Sequence, residues 1–225
     1  MLILPYICVQ FLPLLCPVLV YHFTAGADIV ISGRKTIEGE KEKINVPSAE
    51  RNSSRKEAIL DIINKRENSF LAVCKLYRAS VLRDNNIRFA EGIRFEDMVF
   101  SFSANAVCNS VAYCPDVSYV YCVRSGSLSE TIDELLIQDY LKAISLVLRA
   151  LAENDMLESL KTHLHFYVLE ALYRTNMWFL KDANRALDDF VYCSDHLVKI
   201  IRALKLSKEP AEDVLRIVNS VLENN

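Results

Sequence analysis

The chain has 225 residues, 52% hydrophobic and 24% charged, which is enough to bury one substantial core and excludes a disordered protein. The 26 Lys and Arg are balanced by 29 Asp and Glu, for a net charge of −3. Because this balance offers no broad attraction for a polyanion, we predict no nucleic-acid partner. The seven cysteines are scattered and form no C-x-x-C pair, a usage typical of reduced thiols in a cytoplasmic protein.

The segment 1–26 is apolar and contains no Lys, Arg, Asp or Glu. Its length suits a membrane-spanning helix, but Pro5, Pro13 and Pro17 would each disturb one. A secretory signal would need a basic start and a convincing cleavage site. A membrane span, a buried segment and an artefact of truncation or reading frame therefore stay open for this segment.

The next part of the chain alternates short apolar runs with helical patterns, as α/β domains do. The run ADIVIS at Ala27–Ser32 is typical of a buried strand of a parallel sheet. The charged stretch 34–52 predicts a loop or a ragged hairpin. Ser54 and Glu57 have capping-box spacing and begin a helix that we expect to end near Glu67.

Two further helices and two strands follow in this domain. Helical spacing predicts one helix over Leu76–Leu82, and another begins at Glu96. The ranges 110–113 and 117–123 have the composition of two short strands, separated by a Cys-Pro-Asp turn.

From residue 131 onward the pattern predicts an all-α region. Its four expected helices are Ile132–Glu153, Met156–Lys181, Ala183–Lys205 and Ala211–Glu223. The predicted organisation is an apolar segment at 1–26, an α/β domain at 27–130 and a helical region at 131–225. Aromatic side chains in this apolar tail are more often core than a sugar-stacking platform. They include Tyr167, Tyr173, Trp178 and Phe179.

Glu96 and Asp97, here called the acidic pair, stand at a predicted helix start, where carboxylates commonly serve only to balance the helix dipole. Four motifs around them add information through their order and spacing. They are CKLYR at Cys74–Arg78, NNIRF at Asn85–Phe89, EGIRFEDMVF at Glu91–Phe100 and YVYCVRSGSLS at Tyr119–Ser129. As a set they resemble the acceptor-side half of family 2 glycosyltransferases of bacterial surface-polysaccharide pathways.

This resemblance implies part of a GT-A-like fold, the sheet-and-helix fold of nucleotide-diphospho-sugar transferases, followed by the helical region. It implies inverting transfer of a sugar from a nucleotide-sugar donor to a polysaccharide or glycolipid acceptor. Asp97 would be the general base that takes the proton of the acceptor hydroxyl, and Glu96 would orient the acceptor or the base.

The resemblance also implies three substrate-binding residues. Arg124 and Ser127 match basic and hydroxyl positions near the donor diphosphate, where both could stabilise the departing phosphate oxygens. The alternative is that Arg124 only ends a strand and Ser127 only caps a turn. Lys75 would reach the acceptor, or else lie on a helix surface. The chain departs from the family at Cys122, where relatives often carry Arg, and at Cys74, where they commonly carry Asn or Gly.

An intact member of this family would also carry an Asp-x-Asp element that holds Mg or Mn against the diphosphate. No acidic residue precedes Asp28, so no metal ligands are found here and the nucleotide-binding half is expected to be missing. We therefore expect the chain to be truncated or inactive alone. A non-catalytic interaction protein derived from a glycosyltransferase and a membrane-anchored helical adaptor are the alternatives. We expect the protein to be in the cytoplasm, and association with the inner face of the membrane stays an open alternative.

Overall fold

The computed structural model describes residues 26–123, 134–181 and 187–223. Contacts divide these residues into two compact units. The sheet unit comprises residues 26–88 and 103–123, and the helical unit comprises residues 89–102, 134–181 and 187–223. The apolar segment up to residue 25 and the predicted domain boundary near residue 130 lie outside the described residues.

In the described residues, five strands form one mixed sheet. They are β1 (Ile29–Glu38), β2 (Lys41–Asn45), β3 (Arg51–Ser53), β4 (Lys75–Tyr77) and β5 (Val111–Cys122). Their order is β2-β1-β5-β3, and β4 pairs with the start of β1. β1 and β5 run parallel, while the other pairs are antiparallel. This sheet with its helices, followed by a helical region, confirms the predicted α/β fold class.

Strand β1 confirms the strand predicted at 27–32 and extends it. Its first five residues are buried. Gly33 lets the chain pass close to the neighbouring strand, because a Cβ there would lie 2.3 Å from Cγ1 of Val46. The chain then reverses at Gly39, whose φ is +58°, and β2 pairs back onto β1. The hairpin alternative for 34–52 is therefore correct.

Strand β5 corrects the prediction of two short strands separated by a turn. Tyr113 lies opposite Ile31, and Val117 lies opposite Gly33, with a register shift between them. Three residues of β5, 114–116, therefore stand where β1 has one. This is a β-bulge, which is one of the few places where a sheet strand accommodates a proline.

Strand β4 corrects the helix predicted over Leu76–Leu82. The first residues of that range pair antiparallel with β1, and only Ala79–Asp84 form a helix, α2. Arg78 fixes the end of the strand, because its backbone N–H donates to the carbonyl of Asp28 and its Nε lies 3.1 Å from the Asp28 carboxylate. Pairing with a distant strand thus overrides the local helical spacing.

Helix α1 (Arg55–Ile63) confirms the predicted capping box. The Ser54 hydroxyl accepts from the Glu57 N–H, and the Glu57 carboxylate accepts from the Ser54 N–H. The helix ends four residues before the expected Glu67. It buries its apolar face in a core cluster made of Ile29, Ile31, Ala58, Ala104, Cys108, Val111 and Tyr113.

The helices of the C-terminal region match the prediction within the described residues. They are α4 (Glu134–Glu153), α5 (Leu157–Lys181), α6 (Leu187–Leu206) and α7 (Pro210–Glu223). Each of these helices contacts the other three. Helix α3 (Glu96–Val107) precedes them in the chain, and its residues up to Phe102 belong to the helical unit. None of the helices within the described ranges combines the length and the apolar character needed to cross a bilayer.

Candidate active site around the acidic pair

The acidic pair lies in the first turn of α3, as predicted. Both side chains are half-buried. The carbonyl of Phe95 accepts from the N–H of Met98 at 3.0 Å and from that of Val99 at 3.3 Å, so Phe95 is the N-cap residue. The pair therefore occupies the end of the helix where backbone N–H groups lack helical partners and negative charge is stabilised.

The residue before the acidic pair has an unusual backbone conformation. Phe95 has a φ of +68°, in the left-handed region that bulky residues avoid. Such a conformation costs about 1–3 kcal/mol and persists only where the surrounding structure holds it. Three residues earlier, Gly92 has a φ of +70°, which a glycine adopts readily. The turn that leads into the acidic pair is thus sharply defined.

An ion pair fixes this turn to helix α4. The backbone N–H and the Nε of Arg94 both donate to Oδ2 of Asp139, at 3.3 and 3.1 Å. Only 26% of the Arg94 side chain and 17% of the Asp139 side chain are exposed, so solvent screens this pair less than a surface pair. A single carboxylate therefore holds both the backbone and the side chain of Arg94.

An aromatic cluster, here Phe95, Tyr140 and Trp178, holds the same turn from the side of Phe95. The Phe95 ring centre lies 4.9 Å from that of Tyr140 and 6.0 Å from that of Trp178. Tyr140 and Trp178 meet edge to face at 5.1 Å, a favourable geometry for aromatic rings. Burial raises the pKa of the Tyr140 phenol to about 12.

Arg174 of helix α5 borders the aromatic cluster. Its Nη2 donates to Glu170 at 3.2 Å, and its guanidinium lies 6.0 Å from the centre of the Trp178 ring. Its buried Nε has no hydrogen-bond partner among the described residues.

Sequence reasoning missed Phe95, Arg94, Asp139 and Arg174. No local pattern relates an Asp on α4 or an Arg on α5 to the turn before α3, because the contact is long-range. The one signal in the sequence was Gly92 shortly before the acidic pair, which indicates a tight turn. The positive φ angles of Gly92 and Phe95 show that this turn is present.

Lys75, the predicted acceptor ligand, lies in the sheet unit and on strand β4 rather than on a helix surface. Its ammonium group donates to the carbonyls of Ser69 at 2.5 Å and Leu71 at 2.6 Å. The preceding residue, Cys74, has a φ of +64°. That conformation suits Asn or Gly far better than Cys, so Cys74 is held in a strained backbone conformation.

The other predicted substrate residues, Arg124 and Ser127, lie outside the described residues. Their predicted contacts with a diphosphate stay predictions. Within the described ranges, no group of three or more His, Cys, Asp or Glu side chains is placed to hold a metal ion. The described side chains therefore do not fit the Mg or Mn site expected of the intact family.

Comparison with solved structures shows that this mixed sheet, followed by a helical region, is GT-A-like in fold. Among solved structures, it is similar to the crystal structure of residues 1–349 of TarS from S. aureus in complex with UDP, with a TM-score of 0.56 and 16% sequence identity. The match covers 93% of this chain and 62% of that one. It therefore includes most of the helical region, beyond the motifs that carry the sequence resemblance. No protein-family model and no curated protein sequence matches the chain.

Proposed function

We propose that this chain supplies the acceptor side of an inverting glycosyltransferase that uses a nucleotide sugar. The observation that carries the proposal is the acidic pair at the start of α3, on a strained and doubly fixed turn, in a chain with the fold of UDP-bound TarS. Strain held in place by its surroundings is characteristic of functional sites. The acceptor would be a polysaccharide or a glycolipid, met in the cytoplasm or at the inner face of the membrane.

In the proposed reaction, the acceptor hydroxyl oxygen attacks the anomeric carbon of the donor sugar. The attack comes from the face opposite the nucleoside diphosphate, whose bond to that carbon breaks with its electron pair on the phosphate oxygen, so the configuration inverts. Asp97 takes the hydroxyl proton, and Glu96 orients the acceptor or the base. General-base catalysis of this kind contributes about 10²–10⁴-fold.

The remaining predicted residues complete the proposal. Arg124 and Ser127 would donate to the departing diphosphate, because cationic and hydroxyl donors stabilise developing charge on phosphate oxygens. Lys75 would contribute by keeping the segment that begins at Ser69 in place, since its ammonium group binds two carbonyls there. No step is assigned to a metal ion, because the described residues offer no ligand set for it.

The experiment compares two proteins: the 225-residue chain, and the same chain extended by whatever its gene encodes ahead of Met1. Each is incubated with UDP-hexoses or UDP-N-acetylhexosamines, Mn²⁺ and glycan acceptors, and UDP release and product configuration are measured. We expect acceptor-dependent release with inversion from the extended protein and none from the 225-residue chain. Release by the 225-residue chain would show that its donor site is complete.

The same experiment distinguishes sugar transfer from the main alternative function, that of a non-catalytic interaction protein that kept the fold. The lack of a metal-ligand group among the described residues favours that rival for the isolated chain. If the extended protein neither binds UDP in a calorimetric titration nor releases it from any donor, transfer from a UDP-sugar is refuted. The interaction protein then becomes the better account.

A further inference from the structure

Helix α5 exposes a row of large apolar side chains on one face, here called the apolar stripe. Its members are Phe166 (63% exposed), Leu169 (44%), Tyr173 (66%), Met177 (38%) and Leu180 (72%). The opposite face of the same helix is buried through Leu157, Leu160, Leu164, Val168, Ala171 and Thr175. The stripe is therefore a second apolar face, additional to the one that packs in the bundle.

The stripe is narrow and continuous along the helix. At 100° per residue its five side chains fall within about 80° of arc and extend over about four turns. A shallow groove along it is lined by the apolar Phe166, Leu169, Leu172 and Tyr173 and bordered by the polar Glu170 and Asn176. A narrow seam of this kind is typical of helices that pair with another helix.

The spacing of the stripe is the same in both chain directions. The intervals along the helix are three, four, four and three residues, centred on Tyr173. If two copies of α5 lie antiparallel about a two-fold axis at Tyr173, then Phe166 faces Leu180 and Leu169 faces Met177. A two-fold interface requires this kind of self-complementarity, because one surface must match itself.

The charges next to the stripe tolerate this pairing. Glu170 and Arg174 form an ion pair on their own helix. A two-fold axis brings the same flank of both helices together, so in the antiparallel arrangement Glu170 of each copy lies beside Arg174 of the other. The two Arg174 side chains approach each other near the axis, but each is paired with Glu170 of its own helix and lies beside Glu170 of the other, so their repulsion is compensated.

The exposed apolar area of the stripe is sufficient for a weakly associating dimer. Five half-exposed large side chains offer roughly 500 Å² per chain, or about 1,000 Å² for two, which is at the lower limit of specific interfaces. We propose that the apolar stripe is the interface between two antiparallel copies of this chain. The proposal stands apart from the proposed sugar transfer, since it uses no residue of the acidic pair.

The test uses the full chain with cysteine introduced at the axis. Tyr173→Cys places two sulfurs side by side, within the Cβ separation of about 4 Å that a disulfide needs, and we expect a disulfide-linked dimer mapped to position 173 by mass spectrometry. Phe166→Cys is the matched control, because its two copies would be about 21 Å apart. Phe166→Cys mixed with Leu180→Cys is expected to cross-link. The unmodified chain gives the background from its native cysteines.

Sedimentation velocity of the full chain provides a second measurement. We expect a reversible dimer at tens of micromolar, at least tenfold weakened by Tyr173→Glu and unchanged by His163→Glu, an exposed residue of α5 outside the stripe. A monomer at all concentrations, or equal self-cross-linking of Phe166→Cys and Tyr173→Cys, would overturn the proposal. So would a monomer that sediments with anionic lipid vesicles through Tyr173, which would assign the stripe to a membrane surface.

Discussion

Asp61 in the sheet unit and Glu96 in the helical unit are carboxylates with different surroundings. In the sheet unit, Oδ2 of Asp61 accepts from the Tyr113 phenol at 2.8 Å and from Arg51 at 2.6 Å, and Arg51 also binds Glu67. In the helical unit, Glu96 makes no hydrogen bond or ion pair with the described residues. The turn before Glu96 is fixed by the Arg94–Asp139 ion pair and by the aromatic cluster. Carboxylates with saturated partners stabilise a fold, whereas a carboxylate placed by its backbone is available to a ligand.

The largest effect that tests this contrast is on stability. Asp61→Ala leaves the Arg51 guanidinium and the Tyr113 hydroxyl without their shared acceptor, so we expect the free energy of unfolding to fall by about 3 kcal/mol. Glu96→Ala should change it by less than about 0.5 kcal/mol. Urea denaturation of both variants measures the difference, and equal losses would contradict the assignment of different roles.

Alkaline pH tests the buried phenol of the aromatic cluster. The pKa of Tyr140 is raised to about 12, so the folded state keeps a proton that the unfolded state loses near pH 10. Below pH 10 this proton contributes fully to the free energy of unfolding. The contribution, about 2 kcal/mol, is lost as the pH rises to 12. Tyr140→Phe should lack this part of the alkaline loss in urea denaturation at stepped pH. An identical pH slope in both proteins would show that Tyr140 is solvated.

A smaller effect concerns the ion pair that fixes the turn. If the extended protein transfers sugar, we expect Asp139→Asn to lower its kcat about tenfold, because both bonds from Arg94 weaken and the acidic pair loses its position. The donor KM should not change. A double-mutant cycle of Arg94→Ala with Asp139→Ala should give a coupling of about 1 kcal/mol in stability. A raised donor KM with an unchanged kcat would argue against a positioning role.

The smallest effect concerns the strained residue of the sheet unit. Cys74→Asn replaces a residue at φ +64° by one that tolerates this conformation, and we expect a gain of about 0.5 kcal/mol in the free energy of unfolding. Cys122→Asn, at an exposed position of β5, is the control and should bring no gain. If Cys74→Asn destabilises the chain, the sulfur contacts outweigh the backbone strain.

Much of the fold could be predicted because local chemistry decides it. The capping box at Ser54 and the long amphipathic helices of the tail are short-range patterns, and the structure confirms them. Strand β4 and the bulge at 114–116 could not be predicted, because each depends on where β1 lies in space. For the same reason the acidic pair was found by its motif, whereas Asp139, distant in sequence, was not.

The most direct test of the central claim is the effect of Asp97→Asn on turnover by the extended protein. The variant keeps the size of the side chain and removes the base, so kcat should fall by about 10²–10⁴ while the affinity for UDP stays the same. Asp84→Asn, an exposed acid at the end of α2, should leave kcat unchanged. An Asp97→Asn protein with full kcat would contradict the role of the acidic pair in sugar transfer.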